Sequence, residues 1–490
     1  MRLLYAALLL AASIGAAAAP MGYEDARHLL DRAGFGATDR EIRDFATLER
    51  EQAVDRLLAG ARREAVTPPP AFVDDPIERP GKLRNDPQAR KALLAKLVQQ
   101  GLELRSWWLQ EMLDTPSPLT ERMTLFWHNH FATSQRKVRA PQLMYRQNAL
   151  LRREALGNFA TLLHGIAKDP AMLVWLDNAK SRKGAPNENF AREVMELFTL
   201  GVGHYGEPDV KEAARAFTGW SVEPATGAYR YRPFFHDAGE KVVLGHRGNL
   251  DGDQVLDILL EQPATAQFIA EKMWREFVSP TPDETQVESW ARTFRAAHYE
   301  IKPLLRAVFL SDAFWSSANR ATLVKSPVDV VVGTLRIFDI HPADLRPGAI
   351  ACAVLGQNLF APPNVKGWPG GDAWIDSATL LGREQFVDRI FRTADLGMQP
   401  VAMQASAMQA EKGNAAAGAP GARLQRLMQR GMGAYAFNDR RWLASLGTPH
   451  NTSQVDRLVL ATAPVDPVPA NLGMAGRVRA LVADPAYQLK

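Results

Sequence analysis

Apolar side chains at helical spacing run through most of this sequence, and this periodicity restricts the folds open to the chain more than any other feature. Between residues 91 and 114 they recur every three or four positions, which predicts a helix with one buried face and an interruption at Gly101. Ser117 and Pro118 predict the start of a second helix, because serine caps helix N-termini and proline suits the first helical position.

The same periodicity predicts further helices at residues 148–167, 187–200, 209–218, 254–260, 265–277, 301–310 and 327–338. Strand patterns are scarce. The best candidate is one hairpin within residues 228–244, where Tyr229 and Tyr231 stand on one side of a polar turn and Val242 and Val243 on the other. The sequence therefore predicts a mainly α, multi-helical globular body with one small β-hairpin.

The first residues have the layout of a secretory signal peptide. Arg2 supplies an early positive charge, an apolar stretch follows from residue 3 to residue 14, and small residues lead up to Ala19. We expect cleavage near Ala18, since cleavage after Ala19 would place the ring of Pro20 directly behind the scissile bond. The sequence predicts an exported protein, periplasmic or secreted, with no stable membrane span once residues 1–18 are removed.

The chain has one cysteine, Cys352, which lies among apolar residues and cannot form an internal disulfide. We expect its thiol to be buried and to behave as a small apolar group. In an oxidising compartment the fold would then depend on a large core instead of crosslinks.

Composition along the chain predicts three parts after the signal peptide. Residues 19–396 carry most of the helical patterns and are expected to form the main helical domain. Residues 397–433 are rich in alanine, glycine, glutamine and methionine, which indicates a flexible low-complexity segment. Residues 434–490 retain enough apolar residues to form helices that pack back on the body.

The net charge and its distribution do not indicate nucleic-acid binding. Lysine and arginine number 58 against 54 aspartates and glutamates, a net charge of +4. The two signs are interspersed along the whole chain, whereas a duplex-binding protein concentrates positive charge on one face. We therefore expect no nucleic-acid partner.

Glu193 and Glu196 are predicted to be neighbours on one polar face of the helix at residues 187–200. Such a pair can bind a metal ion, or can act as general acid and base if burial separates the two pKa values. Arg192 lies four residues before Glu196, so an exposed, salt-bridged helix face explains the same spacing. Both interpretations stay open.

Two histidines, His128 and His130, stand near the end of the helix that begins at Pro118. Residues two apart on a helix diverge by about 200°, so both rings reach one ion only if the helix ends between them. His130 shares a face with apolar residues, which favours a hydrogen-bonded core histidine. The alternative is that His130 joins Glu193 and Glu196 as a ligand of a divalent metal.

A further polar group follows in the helix predicted at residues 209–218. Glu212 and Arg215 are one turn apart there, a spacing typical of an ion pair and equally compatible with a catalytic site. His236, beside Asp237 on the predicted hairpin, is a candidate proton-transfer group. Trp220, just past the end of the helix, is a candidate surface for substrate stacking.

An irregular aromatic loop occupies residues 356–371, with Trp368 inside it and Trp374 just beyond. Its prolines and glycines fix the shape of the backbone. Such a loop can present tryptophans for stacking against a sugar or a peptide, or can simply close the helical body.

The chain resembles a bacterial exported family known as domain of unknown function 1800. Six stretches in the same order carry the resemblance: residues 28–36, 126–131, 187–203, 212–220, 236–237 and 365–374. The resemblance extends over most of residues 23–395. It implies that Glu193, Glu196, Glu212 and Arg215 form one buried polar centre. It also implies a partner, because members often accompany exported proteins that resemble sulfatases.

Two functional hypotheses follow. The first is a hydrolase-like enzyme with a carboxylate-centred site at Glu193, Glu196, Glu212, Arg215 and His236, with a divalent metal as a candidate cofactor. The second is a non-catalytic partner or scaffold for a neighbouring exported sulfatase-like protein, in which buried ion pairs specify how the helices pack.

Overall fold

The structure is a computed structural model that describes residues 19–395, 435, 437–447 and 451–490. The signal peptide predicted at residues 1–18 and the flexible segment predicted at residues 397–433 lie outside the described residues. The first α-helices in chain order are α1 Gly22–Ala33, α2 Asp39–Ala46, α3 Arg50–Ala59, α4 Pro87–Asp114, α5 Pro118–His130, α6 Gln135–Val138, α7 Pro141–Arg153, α8 Phe159–Ala167, α9 Pro170–Trp175, α10 Glu188–Glu193 and α11 Glu207–Ala216.

The remaining α-helices are α12 Gly252–Glu261, α13 Pro263–Phe277, α14 Glu284–Ala296, α15 Ile301–Phe309, α16 Asp312–Trp315, α17 Pro327–Ile337, α18 Arg346–Val354, α19 Ser377–Asp395, α20 Asp439–Ser445, α21 Thr452–Val459 and α22 Met474–Ala483. A π-helix at Val194–Thr199 continues α10 without a break. Short 3₁₀ turns lie at Ala71–Asp74, Pro80–Leu83, Asn178–Lys180, Pro233–Phe235, Ser317–Asn319, Gly371–Trp374 and Pro485–Gln488.

The β-structure consists of four three-residue strands in two separate antiparallel pairs. They are β1 Trp220–Val222, β2 Tyr229–Tyr231, β3 Lys241–Val243 and β4 His246–Gly248. β1 pairs with β2, and β3 pairs with β4. The prediction of a mainly α protein is thus confirmed, whereas the predicted pairing of the tyrosine strand with the valine strand is wrong, because each finds its partner in the nearest segment of chain.

Helices α5 and α17 form the centre of the molecule. All residues of α17 are buried, and in α5 only Asn129 and Pro118 keep partial exposure. α17 packs against α4, α18 and α19, while α5 packs against α1, α4 and α7. Any charged residue on these two helices must therefore find a partner inside the protein.

Local signals explain where several helices begin and end. The helix predicted at residues 148–167 is two helices, α7 and α8, and Asn158 caps the second by accepting the N–H groups of Ala160 and Thr161. Ser117 takes the predicted N-cap position of α5, although its hydroxyl bonds to Thr120 Oγ1 at 2.8 Å instead of capping the helix through its side chain.

The described C-terminal residues contact the main body at several points. The indole N–H of Trp442 donates to the carbonyl of Ile337 at 2.8 Å, and the hydroxyls of Tyr487 and Thr334 lie 2.8 Å apart. The N–H of Lys490 donates to the carbonyl of Leu323 at 2.9 Å. These contacts bring Lys490 beside the charged residues of α5 and α17.

Two further predictions concern the membrane and the cysteine. Among the described helices, none has the length and apolar character needed to cross a lipid bilayer. Cys352 is completely buried in α18, and burial raises the pKa of its thiol far above the ordinary value, as expected for a small core residue.

Candidate functional site

A cavity of about 420 Å³, which we name the central cleft, opens between α5, α13, α17 and the aromatic loop. Its polar and aromatic walls include Arg122, Asn129, His130, Lys272, Arg275, Glu276, Asp329, Lys366, Trp368, Asp372, Trp374 and Lys490. Five of these side chains are cationic and three are carboxylates. A concave site with convergent polar groups and aromatic walls is the usual form of a ligand site.

Lys272 is the most unusual cation of the central cleft. Its ammonium donates to Nδ1 of His130 at 3.0 Å and lies 4.6 Å from the ring of Phe268. No carboxylate within the described part of the chain forms an ion pair with it. Burial lowers the pKa of Lys272 to about 8.

The contact with Lys272 also fixes the tautomer of His130. An ammonium group can only donate, so Nδ1 accepts and the Nε2–H donates to the carbonyl of Phe198 at 3.1 Å. Burial and the adjacent charge of Lys272 lower the pKa of His130 well below its usual value. His130 is therefore a neutral, fully hydrogen-bonded core histidine, as its position on the apolar face predicts.

The floor of the central cleft is a buried ionic network. Asp329 on α17 pairs with Arg122 on α5 and accepts a hydrogen bond from Lys490 at 3.0 Å. Glu276 lies 3.6 Å from the same arginine. Burial opposes ionisation of Asp329, but the two cations outweigh it and hold its pKa well below the ordinary value.

The aromatic loop closes one side of the central cleft. Trp368 and Trp374 are buried in its wall, and the backbone N–H of Trp368 donates to Oδ1 of Asn129 at 2.7 Å. Gly367 has a positive φ of 83°, and a Cβ there would overlap the side chain of Asn129. The loop thus closes the body, as one of the two predictions states, and its tryptophans also face the cavity.

His128 points away from His130 and toward a different set of aromatic rings. Its ring centroid lies 5.3 Å from Trp108, 5.4 Å from Phe360 and 5.6 Å from Trp368. Both of its ring nitrogens are buried and have no hydrogen-bond partner among the described residues. Burial lowers the pKa of His128 to about 3, so the ring is neutral at physiological pH.

Glu193 and Glu196 lie close enough to interact, as predicted from their spacing. Glu193 is half-buried, and its pKa is raised by burial and by the charge of Glu196, while Lys366 of the central cleft acts in the opposite direction. Glu196 accepts a hydrogen bond from the hydroxyl of Tyr205 at 2.7 Å. Arg192 pairs with Glu207 at 2.6 Å, so the alternative prediction of a salt bridge from Arg192 to Glu196 is not realised.

The three predicted metal ligands do not fit a metal ion. Both ring nitrogens of His130 are already hydrogen-bonded, and one of them contacts the ammonium of Lys272, which would repel a cation. Glu193 and Glu196 alone offer only two carboxylates. Within residues 19–395 and the described parts of the C-terminal segment, no group of three or more potential metal ligands comes together.

Glu212 and Arg215 belong to a second polar group. The guanidinium of Arg215 donates to Glu212 at 2.7 Å and to Asp237 at 2.9 Å, and also to the carbonyl of Glu240 at 3.0 Å. The contact with Arg215 lowers the pKa of Asp237 to about 2. The bonds to Asp237 and Glu240 connect α11 to the segment before β3. The contact between Glu212 and Arg215 is the ion pair that their spacing predicts.

His236 and Trp220 are placed by the same part of the fold. Nδ1 of His236 lies 3.1 Å from the carbonyl oxygen of Thr218, which anchors the ring at the end of α11. Trp220 is buried, with its ring centroid 5.1 Å from Phe217 and 6.0 Å from Tyr229. A ligand cannot stack on a tryptophan enclosed by other rings, so the predicted stacking role does not fit Trp220. Trp368 and Trp374 are buried to a similar degree but line the central cleft, and their stacking role stays a prediction.

The predicted single polar centre is therefore divided. Helices α10 and α11 pack against each other. In the described structure, however, no hydrogen bond or ion pair joins Glu193 or Glu196 to Glu212 or Arg215. Glu193 is linked electrostatically to the central cleft through Lys366. The Arg215 group, with His236 and Asp237, instead holds the β-structure to the helical body.

A match to one protein family covers nearly the whole chain. A family model described as "protein of unknown function (DUF1800)" matches residues 28–489. The chain belongs to the DUF1800 family. The resemblance predicted over residues 23–395 is confirmed, and the DUF1800 match continues into the C-terminal helices. No curated protein and no solved structure matches this DUF1800 chain.

Sequence reasoning missed most of the charged residues of the DUF1800 cleft, in particular Lys272, Arg122 and Asp329. Lys272 is a single lysine in an ordinary amphipathic helix and carries no local signal. Arg122 stands in a helix whose sequence mixes polar and apolar residues, so its burial with a partner becomes evident only from the structure.

Proposed function

We propose that the protein is an exported, hydrolase-like enzyme that binds an anionic substrate in the central cleft. The observation that carries the proposal is the position of Lys272: a largely buried ammonium in the cavity wall, hydrogen-bonded to a neutral histidine and without a carboxylate partner in the described structure. A desolvated cation of this kind is stabilised by an anion.

The other charges of the central cleft support an anionic ligand. Arg122 and Lys490 share Asp329, and Arg275 pairs with Glu271 at 2.7 Å. Lys272 and Lys366 have no ion-pair partner among the described side chains, and the five cationic side chains of the cleft outnumber its three carboxylates. Trp368 and Trp374 offer apolar surface for the rest of the substrate.

Glu193 is the proposed acid–base group. Burial and the charge of Glu196 raise its pKa above the ordinary value. The protonated carboxyl can give a proton to the leaving-group oxygen, while water adds its hydroxyl to the other product and returns its remaining proton to Glu193. The charge of Lys366 lowers the pKa of this carboxyl, and Lys366 also lines the central cleft. Lys366 thus links the proposed acid, Glu193, to the proposed anion-binding cavity. No step uses a metal, because the residues predicted to hold one do not fit it.

Calorimetric titration with phosphate, sulfate and citrate tests the binding step. Replacing Lys272 by methionine should weaken the tightest of these about tenfold to a hundredfold, because it removes one charge-assisted hydrogen bond. Lys302→Met, at an exposed lysine outside the cleft, is the matched control and should bind normally. Equal affinities for the wild-type protein and the Lys272 variant would overturn the proposal.

The catalytic step needs a separate experiment. A panel of nitrophenyl phosphate, sulfate and carboxylate esters should include one that is hydrolysed, with kcat reduced at least tenfold in Glu193→Gln and anion affinity unchanged. If anions bind but Glu193→Gln keeps full activity, Glu193 is not the acid. Export is tested independently by N-terminal sequencing of the protein from a Gram-negative host, with Ala19 as the expected first residue.

A further inference from the structure

An exposed aromatic patch lies at the end of the β1–β2 ribbon, away from the groups used above. The side chain of Phe234 is 92% exposed, and those of Phe235 and Tyr231 are 40% and 41% exposed. The rings of Phe234 and Phe235 are 5.8 Å apart. Clustered, exposed aromatic side chains on a folded protein mark an interaction surface, because leaving them in water is unfavourable.

The turn that carries these phenylalanines is well fixed. The N–H of Phe235 donates to the carbonyl of Arg232 at 2.9 Å, and the N–H of Arg232 donates to Gly219 at 2.8 Å. From the other side, the N–H of Lys183 donates to the carbonyl of Phe235 at 2.7 Å. The ring of Phe234 is therefore presented by a rigid 3₁₀ turn.

The loop that supports this turn is strongly basic. Lys180, Arg182 and Lys183 are all exposed, and none of them forms an ion pair with any residue that the structure describes. Four carboxylates of the surrounding segments are already matched to other cations, as the pairs Lys137–Asp177, Arg230–Glu223, Arg215–Asp237 and Arg247–Glu240 show. The exposed Glu188 forms no ion pair with a described residue, and the three basic side chains outnumber it. The uncompensated charge beside the aromatic patch is thus positive.

We propose that this surface, Tyr231, Phe234 and Phe235 together with Lys180, Arg182 and Lys183, docks the protein on an anionic lipid bilayer. Basic side chains are attracted to acidic headgroups, and protruding aromatic side chains enter the boundary between headgroups and acyl chains. A single projecting phenylalanine fits the deformable surface of a bilayer better than the flat, extensive contact of a protein interface. The attachment that we propose is peripheral.

Sedimentation with vesicles tests the proposal, using the protein purified after export. Binding should be strong to phosphatidylcholine mixed with phosphatidylglycerol, weak to phosphatidylcholine alone, and reduced by salt. Replacing Phe234 and Phe235 together by serine should weaken binding about tenfold or more. Replacing Lys180, Arg182 and Lys183 together by glutamine should weaken it at least tenfold at low salt.

Two matched variants control for these changes. Val202→Ser removes an exposed apolar side chain elsewhere, and glutamine at Lys82, Arg84 and Lys91 removes three exposed positive charges from another surface. Both should bind vesicles like the wild-type protein. All variants change exposed residues, so their circular dichroism and thermal unfolding should match the wild-type protein.

Three results would overturn the proposal. One is an absence of binding to the acidic vesicles. Another is binding that the phenylalanine substitutions leave unchanged, which would mean that charge alone attracts the protein. The third is a phenylalanine variant that keeps its vesicle affinity but no longer co-purifies with an exported protein, which would make the patch a protein interface.

Discussion

The side-chain oxygen of Asn129 accepts the backbone N–H of Trp368 at 2.7 Å, joining the last turn of α5 to a loop 239 residues further along the chain. The same turn of α5 carries His130, and the same loop carries Lys366. One hydrogen bond therefore holds together two walls of the central cleft.

Removing this bond should loosen the loop. Asn129→Ala is expected to lower the free energy of unfolding by about 1–3 kcal/mol, because it leaves a partly buried N–H without its acceptor. Gly367→Ala should be at least as damaging, because its positive φ disfavours any Cβ and the new methyl would overlap Asn129. Urea unfolding of both variants measures the two effects. A fully stable Gly367→Ala protein would show that the loop has a different backbone conformation.

His128 should make the stability of the protein sensitive to acid. Its pKa of about 3 in the folded protein is below the ordinary value of 6.5, so protons bind the unfolded chain more tightly. Its contribution is fully present above pH 6.5 and is lost as the pH falls toward 3, at up to about 1.4 kcal/mol per pH unit.

The variant His128→Phe isolates this contribution. It keeps an aromatic ring among Trp108, Phe360 and Trp368 but cannot be protonated, so its stability should fall less steeply between pH 6.5 and pH 4. Comparing the slopes removes the effects of the other buried titratable groups, which both proteins share. Parallel pH profiles would show that His128 is not buried in the neutral form.

Asp329 should be essential for stability, since it neutralises Arg122 and Lys490 inside the protein. Asp329→Asn removes the negative charge, and if its oxygen stays near the N–H of Ser326, its NH2 group faces the guanidinium of Arg122 in place of an acceptor. It should cost about 3–5 kcal/mol, because two buried cations lose their closest counter-ion and retain only the more distant Glu276. Lys490→Met leaves Asp329 paired with Arg122 and should cost less. Equal losses in guanidinium unfolding would contradict this division of roles.

Arg215 should act as a structural tie and not as part of the proposed site. Arg215→Met removes its bonds to Glu212 and Asp237 and is expected to cost about 1–3 kcal/mol. Anion affinity in the central cleft should stay the same. A large loss of affinity in a folded Arg215→Met protein would show that the two polar groups are coupled after all.

Affinity for anions should decrease at high pH. Only the protonated form of Lys272 attracts an anion, and its pKa is about 8 in the free protein. Affinity should therefore be constant below pH 7 and fall by up to tenfold per pH unit above 8. Calorimetry of the wild-type protein between pH 7 and pH 10, with a phosphate ligand whose charge is constant over most of this range, measures the effect. In Lys272→Arg the decrease should vanish, since arginine keeps its charge.

The helical architecture could be predicted from the sequence because it rests on local periodicity, whereas close contacts between distant residues could not. Gly101 was expected to interrupt a helix, yet α4 is continuous through it. A Cβ at Gly101 would overlap the side chain of Gln135. The glycine is thus explained by a neighbour from α6, which no inspection of residues 91–114 could reveal.

The same distinction applies to the candidate site. The proximity of Glu193 and Glu196 followed from helical spacing, as did the pairing of Glu212 with Arg215. The separation of these two pairs could not be predicted from spacing. It depends on ion pairs with other segments, in which Glu207 binds Arg192 and Asp237 binds Arg215. Lys272 was missed for a related reason: its importance comes from a contact with His130, which lies 142 residues earlier in the sequence.

Burial of the sole sulfhydryl, Cys352, has a practical consequence for studying this chain. Its side chain is 0% exposed and its raised pKa keeps it in the unreactive thiol form at neutral pH. A maleimide probe would therefore modify only an engineered surface position, such as Ala238→Cys, while the native chain serves as its own unlabelled reference. Distance measurements by fluorescence or spin resonance could then be made without first deleting a natural cysteine.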